Sequence, residues 1–102
     1  MSLDFAVLSE NGTPEQTIPL SVNLHHELIT AANELSLDQL LRFEDYYEDV
    51  EFAPADLQVL ATQVAVLREK IGQSDLRAFL EDFGFLISKA ASHDKTLHAI
   101  AD

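Results

Sequence analysis

Apolar residues recur at two different periods along the chain, and each period predicts a different kind of element. In residues 2–8, SLDFAVL, Leu3, Phe5 and Val7 alternate with Asp4, Ala6 and Leu8, the pattern of a strand. Residues 9–16, SENGTPEQ, carry Asn-Gly and Thr-Pro, both turn signals. Residues 17–22, TIPLSV, place Ile18, Leu20 and Val22 on one face of a second strand. Pro19 has no N–H for a ladder, which puts that strand at a sheet edge or a bulge. The two strands read as a β-hairpin whose loop is longer than two residues.

Beyond residue 22 the spacing becomes helical. Asn23 is placed to cap a first helix in which Leu24, Leu28, Ala31, Ala32 and Leu35 share a face. Ser36 and Gln39 have the spacing of a capping box and predict a second helix, LDQLLRFEDYYED, over residues 37–49. Residues 50–53, VEFA, should be extended because Ala53 precedes a proline. Pro54 fits the first turn of a third helix, with Asp56 near its positive end, a stripe of Leu57, Leu60, Ala61, Val64, Leu67 and Ile71, and Gly72 as its stop. Ser74 caps a fourth helix with the stripe Leu76, Phe79, Leu80, Phe83, Leu86, Ile87 and Ala90. The short link GQS makes the last two helices antiparallel neighbours.

In the tail, KTLHAIAD, Leu97, Ala99 and Ala101 alternate with His98 and Ile100. It predicts a third strand that pairs back onto the hairpin. The fold class expected is α+β: a small antiparallel sheet, made of the N-terminal hairpin and the C-terminal strand, covered by about four helices. Residues 1–102 form one domain in this reading, a length at which a core forms without staples.

Composition removes several chemistries. With no cysteine, disulfides, thiolate catalysis and zinc–sulfur sites are all excluded. The opening residues lack the basic and apolar regions of a secretory signal, and no apolar run approaches the ~20 residues of a membrane span. A cytoplasmic protein is expected. The net charge of −12 is unevenly spread: residues 1–56 hold twelve acids and one base, Arg42, whereas residues 57–102 hold six acids and five bases. Such a field repels phosphate backbones and anionic membranes and attracts basic partners.

The acids concentrate in FEDYYEDVEF, residues 43–52, where Glu44, Asp45, Glu48, Asp49 and Glu51 surround Tyr46 and Tyr47 with no base among them. On a helix, Glu44 aligns with Glu48, and Asp45 with Glu48 and Asp49. Those like charges repel, near a helix end that already disfavours acids. Three readings stand side by side. The stretch is a docking surface for a basic protein, with Tyr46 and Tyr47 as rigid anchors. Or Asp45, Glu48 and Asp49 bind a divalent metal, although the spacing is not that of an EF-hand. Or it is a solvated helix end, with Arg42 and nearby lysines relieving the repulsion and the tyrosine rings packed on the core.

Other candidates are weaker. His25 and His26 are adjacent and so point about 100° apart on a helix, not the i, i+4 pairing of a helical metal site. His93 lies in turn-like sequence, and His98 falls opposite Leu97 on a strand, facing solvent. There is no G-x-S-x-G or S-x-x-K pattern. Gly12 marks a turn, Gly72 a helix stop, and Gly84 a place for close packing within a helix; they form no phosphate loop. No catalytic residue, cofactor site or metal site is assigned, and no enzyme activity is expected.

The segments LDFAVL, ENGTPE, HHELITAA, DYYEDVEF and LHAIAD together resemble small bacterial immunity-type proteins of polymorphic-toxin and contact-dependent inhibition systems. That resemblance spans almost the whole chain and implies a compact acidic protein that neutralises a cognate toxin in the producer cell. It transfers no individual residue's role. A nuclease-type toxin carries a basic surface for phosphate, which an acidic inhibitor complements. The expected partner is therefore a basic protein, met through Glu44, Asp45, Tyr46, Tyr47, Glu48, Asp49 and Glu51. A metal-binding protein or metal-dependent enzyme, and a homo-oligomeric subunit that buries the tyrosine stretch against its own copy, are the alternatives.

Overall fold

A computed structural model describes residues 3–9, 11–72 and 74–101. Ser2 of the first strand, Glu10 of the first turn, Gln73 of the link and Asp102 of the tail lie outside the described residues. The chain runs β1 (Leu3–Leu8), β2 (Pro14–Leu20), α1 (Val22–Glu34), β3 (Val50–Phe52), α2 (Leu57–Lys70), α3 (Asp75–Ser92) and β4 (Leu97–Ala101). The class is α+β, with one antiparallel sheet in the order β2-β1-β4-β3.

The core face of the alternating first strand forms as expected, although Ala6 on the opposite face is buried too. Leu3, Phe5 and Val7 point into the core, β1 pairs Phe5 with Ile18 of β2, and on its other edge Phe5 with Ala99 of β4. The returning tail strand is therefore present, inserted beside β1. β2 is an edge strand, as a proline-bearing strand must be. It spans Pro14–Leu20, earlier than expected, and Val22 opens α1 with its side chain exposed. Residues 50–52 do more than run extended, since β3 makes a fourth strand by pairing Val50 with Ala99 and Phe52 with Leu97.

α3 lies against β1 and β2, and α1 and α2 pack on it. All seven apolar residues of the expected α3 stripe are buried, and Ser74 caps the helix by accepting from the Arg77 N–H. α2 buries Leu57, Leu60, Val64 and Leu67 and is preceded by a 3-10 turn at Pro54–Asp56. At the centre, the Phe5 ring meets Phe83 (centroids 4.5 Å apart), Phe43 (5.0 Å) and Phe79 (5.9 Å). Aromatic pairs at such separations add to the stability that area burial alone provides.

Among the described residues the α-helices number three, because the second expected helix does not form. Ser21, not Asn23, caps α1 by accepting from the Leu24 N–H. Ser36 caps nothing; it takes the left-handed conformation (φ 56°) that ends α1. The Ser36 N–H returns to the Asn33 carbonyl and the Leu37 N–H to the Ala32 carbonyl. Asp94 (φ 54°) ends α3 in the same way, with bonds from Asp94 to Ala91 and from Lys95 to Ala90. With Ser36 spent on this turn, residues 37–49 contain only one turn of 3-10 helix, Leu40–Phe43. The like-charge repulsion of residues 44–49 opposes any extension of it.

Two expectations follow. A serine in the left-handed region is strained relative to glycine, so Ser36→Gly should raise unfolding free energy by about 0.5–1 kcal/mol in denaturant titration. Glu15 is held below the ordinary carboxylate range by a hydrogen bond from Lys95 Nζ (2.9 Å) and by its charge, with Lys89 and His93 adding to them. The pair's stabilising contribution is present above the ordinary glutamate range and is lost as pH falls through the lowered folded-state value. NMR titration should show the Glu15 midpoint rise in Lys95→Ala.

Candidate functional site

The acidic stretch is an anchored loop. From Leu37 onward every third side chain is used for attachment: Leu37, Leu40, Phe43 and Tyr46 are buried, Asp49 bonds to backbone, and Phe52 is buried. A spacing of three is that of the 3-10 helix, and it continues here through irregular chain. Between the anchors Glu44, Asp45, Tyr47, Glu48 and Glu51 face outward and are exposed.

Each anchor has identifiable partners. The Gln63 carboxamide of α2 accepts from the N–H groups of Gln39 (2.9 Å) and Leu40 (3.3 Å) and donates to Asp38 Oδ1 (2.7 Å). It supplies the cap that the 3-10 turn lacks. His25, buried on α1, donates from Nε2 to the Phe43 carbonyl (2.8 Å). Its ring also packs against Tyr46, 4.9 Å away at 62°. The Tyr46 hydroxyl donates to the Leu20 carbonyl at the end of β2 (2.8 Å). Asp49 Oδ1 accepts from the Ala101 N–H (2.7 Å) and so ties the loop to β4.

These attachments separate the expected binding residues. Tyr46, only 7% exposed, is a structural anchor and not a surface one, because its hydroxyl and ring are both used inside the fold. Tyr47 is 65% exposed and stands edge-on to Tyr46, with ring centroids 5.6 Å apart. Its N–H donates to Asp45 Oδ1 (2.9 Å), which fixes the local turn. Asp49 has one oxygen committed to backbone. Glu51 lies on the outer sheet face, with Oε1 3.4 Å from His98 Nδ1. His98 is on that face as expected, but neighbours cover most of its side chain.

Arg42, the single base of residues 1–56, does not neutralise the loop. Its guanidinium sits 4.4 Å over the Phe52 ring, donates to the Glu51 carbonyl (2.7 Å) and Gln39 Oε1 (3.1 Å), and pairs with Asp56 (3.4 Å). Among the described residues no Lys, Arg or His forms an ion pair with Glu44, Asp45, Glu48 or Asp49. The relief of repulsion that a solvated helix end would need is therefore not supplied there. Nor do three or more His, Asp or Glu gather into a group able to hold a metal ion among the described residues. Asp45, Glu48 and Asp49 do not converge.

Sequence reasoning missed His25 and Gln63, whose roles depend on contacts 18 or more residues away. The signal that was present is the run of anchors at intervals of three. Comparisons of the chain with protein-family models, with curated proteins and with solved structures find no match. Among the described residues no helix is long and apolar enough to cross a membrane.

The two tyrosines should separate in mutagenesis. Tyr46→Phe removes the hydroxyl that donates to the Leu20 carbonyl and should cost about 0.5–1.5 kcal/mol of stability. Tyr47→Ala should stay within about 0.5 kcal/mol, as for an exposed side chain. Urea unfolding of both variants checks this.

Proposed function

We propose that the protein is a cytoplasmic binding module that captures a basic protein through the loop at residues 44–48, and that it acts by occupying the partner's surface. The observation that carries this reading is the exposed Tyr47 ring, fixed on Tyr46 beside three carboxylates that no cation among the described residues pairs with. A rigid aromatic side chain within a charged surround is the composition of a binding hot spot. Anchoring at Phe43, Tyr46, Asp49 and Phe52 means little order has to be gained on binding.

Within this reading the partner is a basic toxin of nuclease type and the protein an immunity-type inhibitor, which rests on the resemblance noted above. The concentration of negative charge in residues 1–56 would steer such a partner and disfavour nucleic acid and anionic membranes. Tyr47, Glu44, Asp45 and Glu48 carry the contact; Glu51 and Asp49 extend the field while serving the fold.

The test is capture of the basic partner from native lysate, followed by association kinetics with the purified partner. Combined Glu44→Lys, Asp45→Lys and Glu48→Lys should slow association by on the order of a hundredfold at low salt, and added salt should weaken wild-type binding. Reversals at the distant Glu69 and Asp75 should have little effect. Equal loss from both sets would leave only net charge and overturn the assignment to this loop.

A further inference from the structure

On a chain of net charge −12, the surface that α2 and α3 turn outward is unusually neutral. Residues 57–67 contain no charged side chain at all, and Val59 and Val66 are exposed on α2. At the middle of α3, directly opposite its buried stripe, Phe85 is 75% exposed. Beside it runs a groove of about 230 Å³ between the helices, with Ala61, Val64, Ala65, Gly84 and Ser88 along it, Phe85 itself as one wall, and Arg68 and Glu81 also lining it. A guest the size of a phenyl ring needs on the order of 150 Å³. An exposed aromatic ring and a groove large enough for a second one thus share one face.

Gly84 supplies a separate clue. Glycine inside a helix is destabilising relative to alanine, so a helical glycine is often explained by a neighbour that leaves no room for a methyl group. No such neighbour exists among the described residues, since a Cβ at Gly84 would meet nothing within 4 Å. The close packing expected of it is absent inside the molecule.

The charges on the same stripe are arranged with opposite sign about Phe85. Glu81 precedes it by four residues and Lys89 follows it by four, each about 6 Å along the helix axis. Their partners within the chain are distant and partly exposed: Glu81 stands 3.7 Å from Arg77, and Lys89 stands 3.9 Å from Glu15. Pairs of that kind contribute little and exchange readily.

From these observations we infer that the α2–α3 face is a self-association surface whose occupant is a second copy of this chain, packed antiparallel on α3 about a two-fold axis near Phe85. A two-fold contact requires a patch complementary to itself. Here each Phe85 enters the other copy's groove, and Glu81 of each copy meets Lys89 of the other, twice. The neutral face is also where two strongly acidic chains approach with least repulsion. This inference is independent of the docking loop, which stays free for its own partner.

Sedimentation equilibrium of the full chain over a broad concentration series tests it. A monomer–dimer equilibrium is expected, tightening with added salt as the mutual repulsion is screened, opposite in sign to the salt effect on a basic partner. Phe85→Ser should raise the dimer dissociation constant by on the order of a hundredfold, because the symmetry removes the ring twice. Circular dichroism should show its fold unchanged. Glu81→Lys and Lys89→Glu should each weaken the dimer, and the double variant should restore it. Gly84→Ala should raise the melting temperature of the monomer yet weaken association. A monomeric mass at every concentration and salt would overturn the inference and leave the face to a different protein; so would a dimer indifferent to Phe85→Ser.

Discussion

A carboxylate cannot enter an apolar core unpaired, and residues 43–52 carry five of them within ten positions. The chain there can join the fold only through its few other groups, and much of the architecture follows from that constraint. Phe43 and Phe52 enter the core at the two ends, and Tyr46 enters midway with a hydroxyl that reaches the end of β2. Asp49 contributes by accepting from backbone, the one attachment open to a charged side chain still in water. The acids between them are held outside by the same geometry. Local order and outward charge have a single cause.

Arg42 shows how the field is kept. A base two positions before a run of five acids would ordinarily fold back on the nearest carboxylate. Here it stacks on Phe52 and donates to the Glu51 carbonyl, so its charge serves the ends of the loop. Nearby carboxylates then add rather than cancel, which is the arrangement that steers an oppositely charged surface from a distance. The neutral surface of α2 and α3 is the complement of this design. One part of the molecule carries charge of a single sign, and in the other the charges balance.

Legibility in the sequence varied with the range of the interactions that decide each element. The stripe of α3 and the alternation of β1 are local patterns; the structure reproduces the first residue by residue and buries Leu3, Phe5 and Val7 of the second, with Ala6 of the opposite face buried as well. β4 was legible for the same reason. The capping-box spacing at Ser36 and Gln39 misled because two uses compete for one serine. Ending α1 took it, through bonds from Ser36 and Leu37 back to Asn33 and Ala32. The third-residue rhythm from Leu37 to Phe52 was visible, but it resembles helical spacing over a short window. Only the Gln63 and His25 contacts, made by distant elements, show that it belongs to a pinned loop. In the candidate site the exposed acids could be read directly. The opposite fates of Tyr46 and Tyr47 could not, because adjacent identical residues differ only in where the chain turns.

The position of β4 has a consequence for how the molecule is made. β4 lies between β1 and β3, yet its residues emerge from the ribosome last among the described strands, 77 positions after β2 ends. Until then β1 presents an unsatisfied row of backbone groups along one side, and Asp49 has no Ala101 amide to receive. A chain that still lacks β4 therefore holds β1 with one edge open to unwanted strand pairing. The dense negative charge of residues 1–56, all of it upstream of β4, would hold such chains apart until the closing strand arrives.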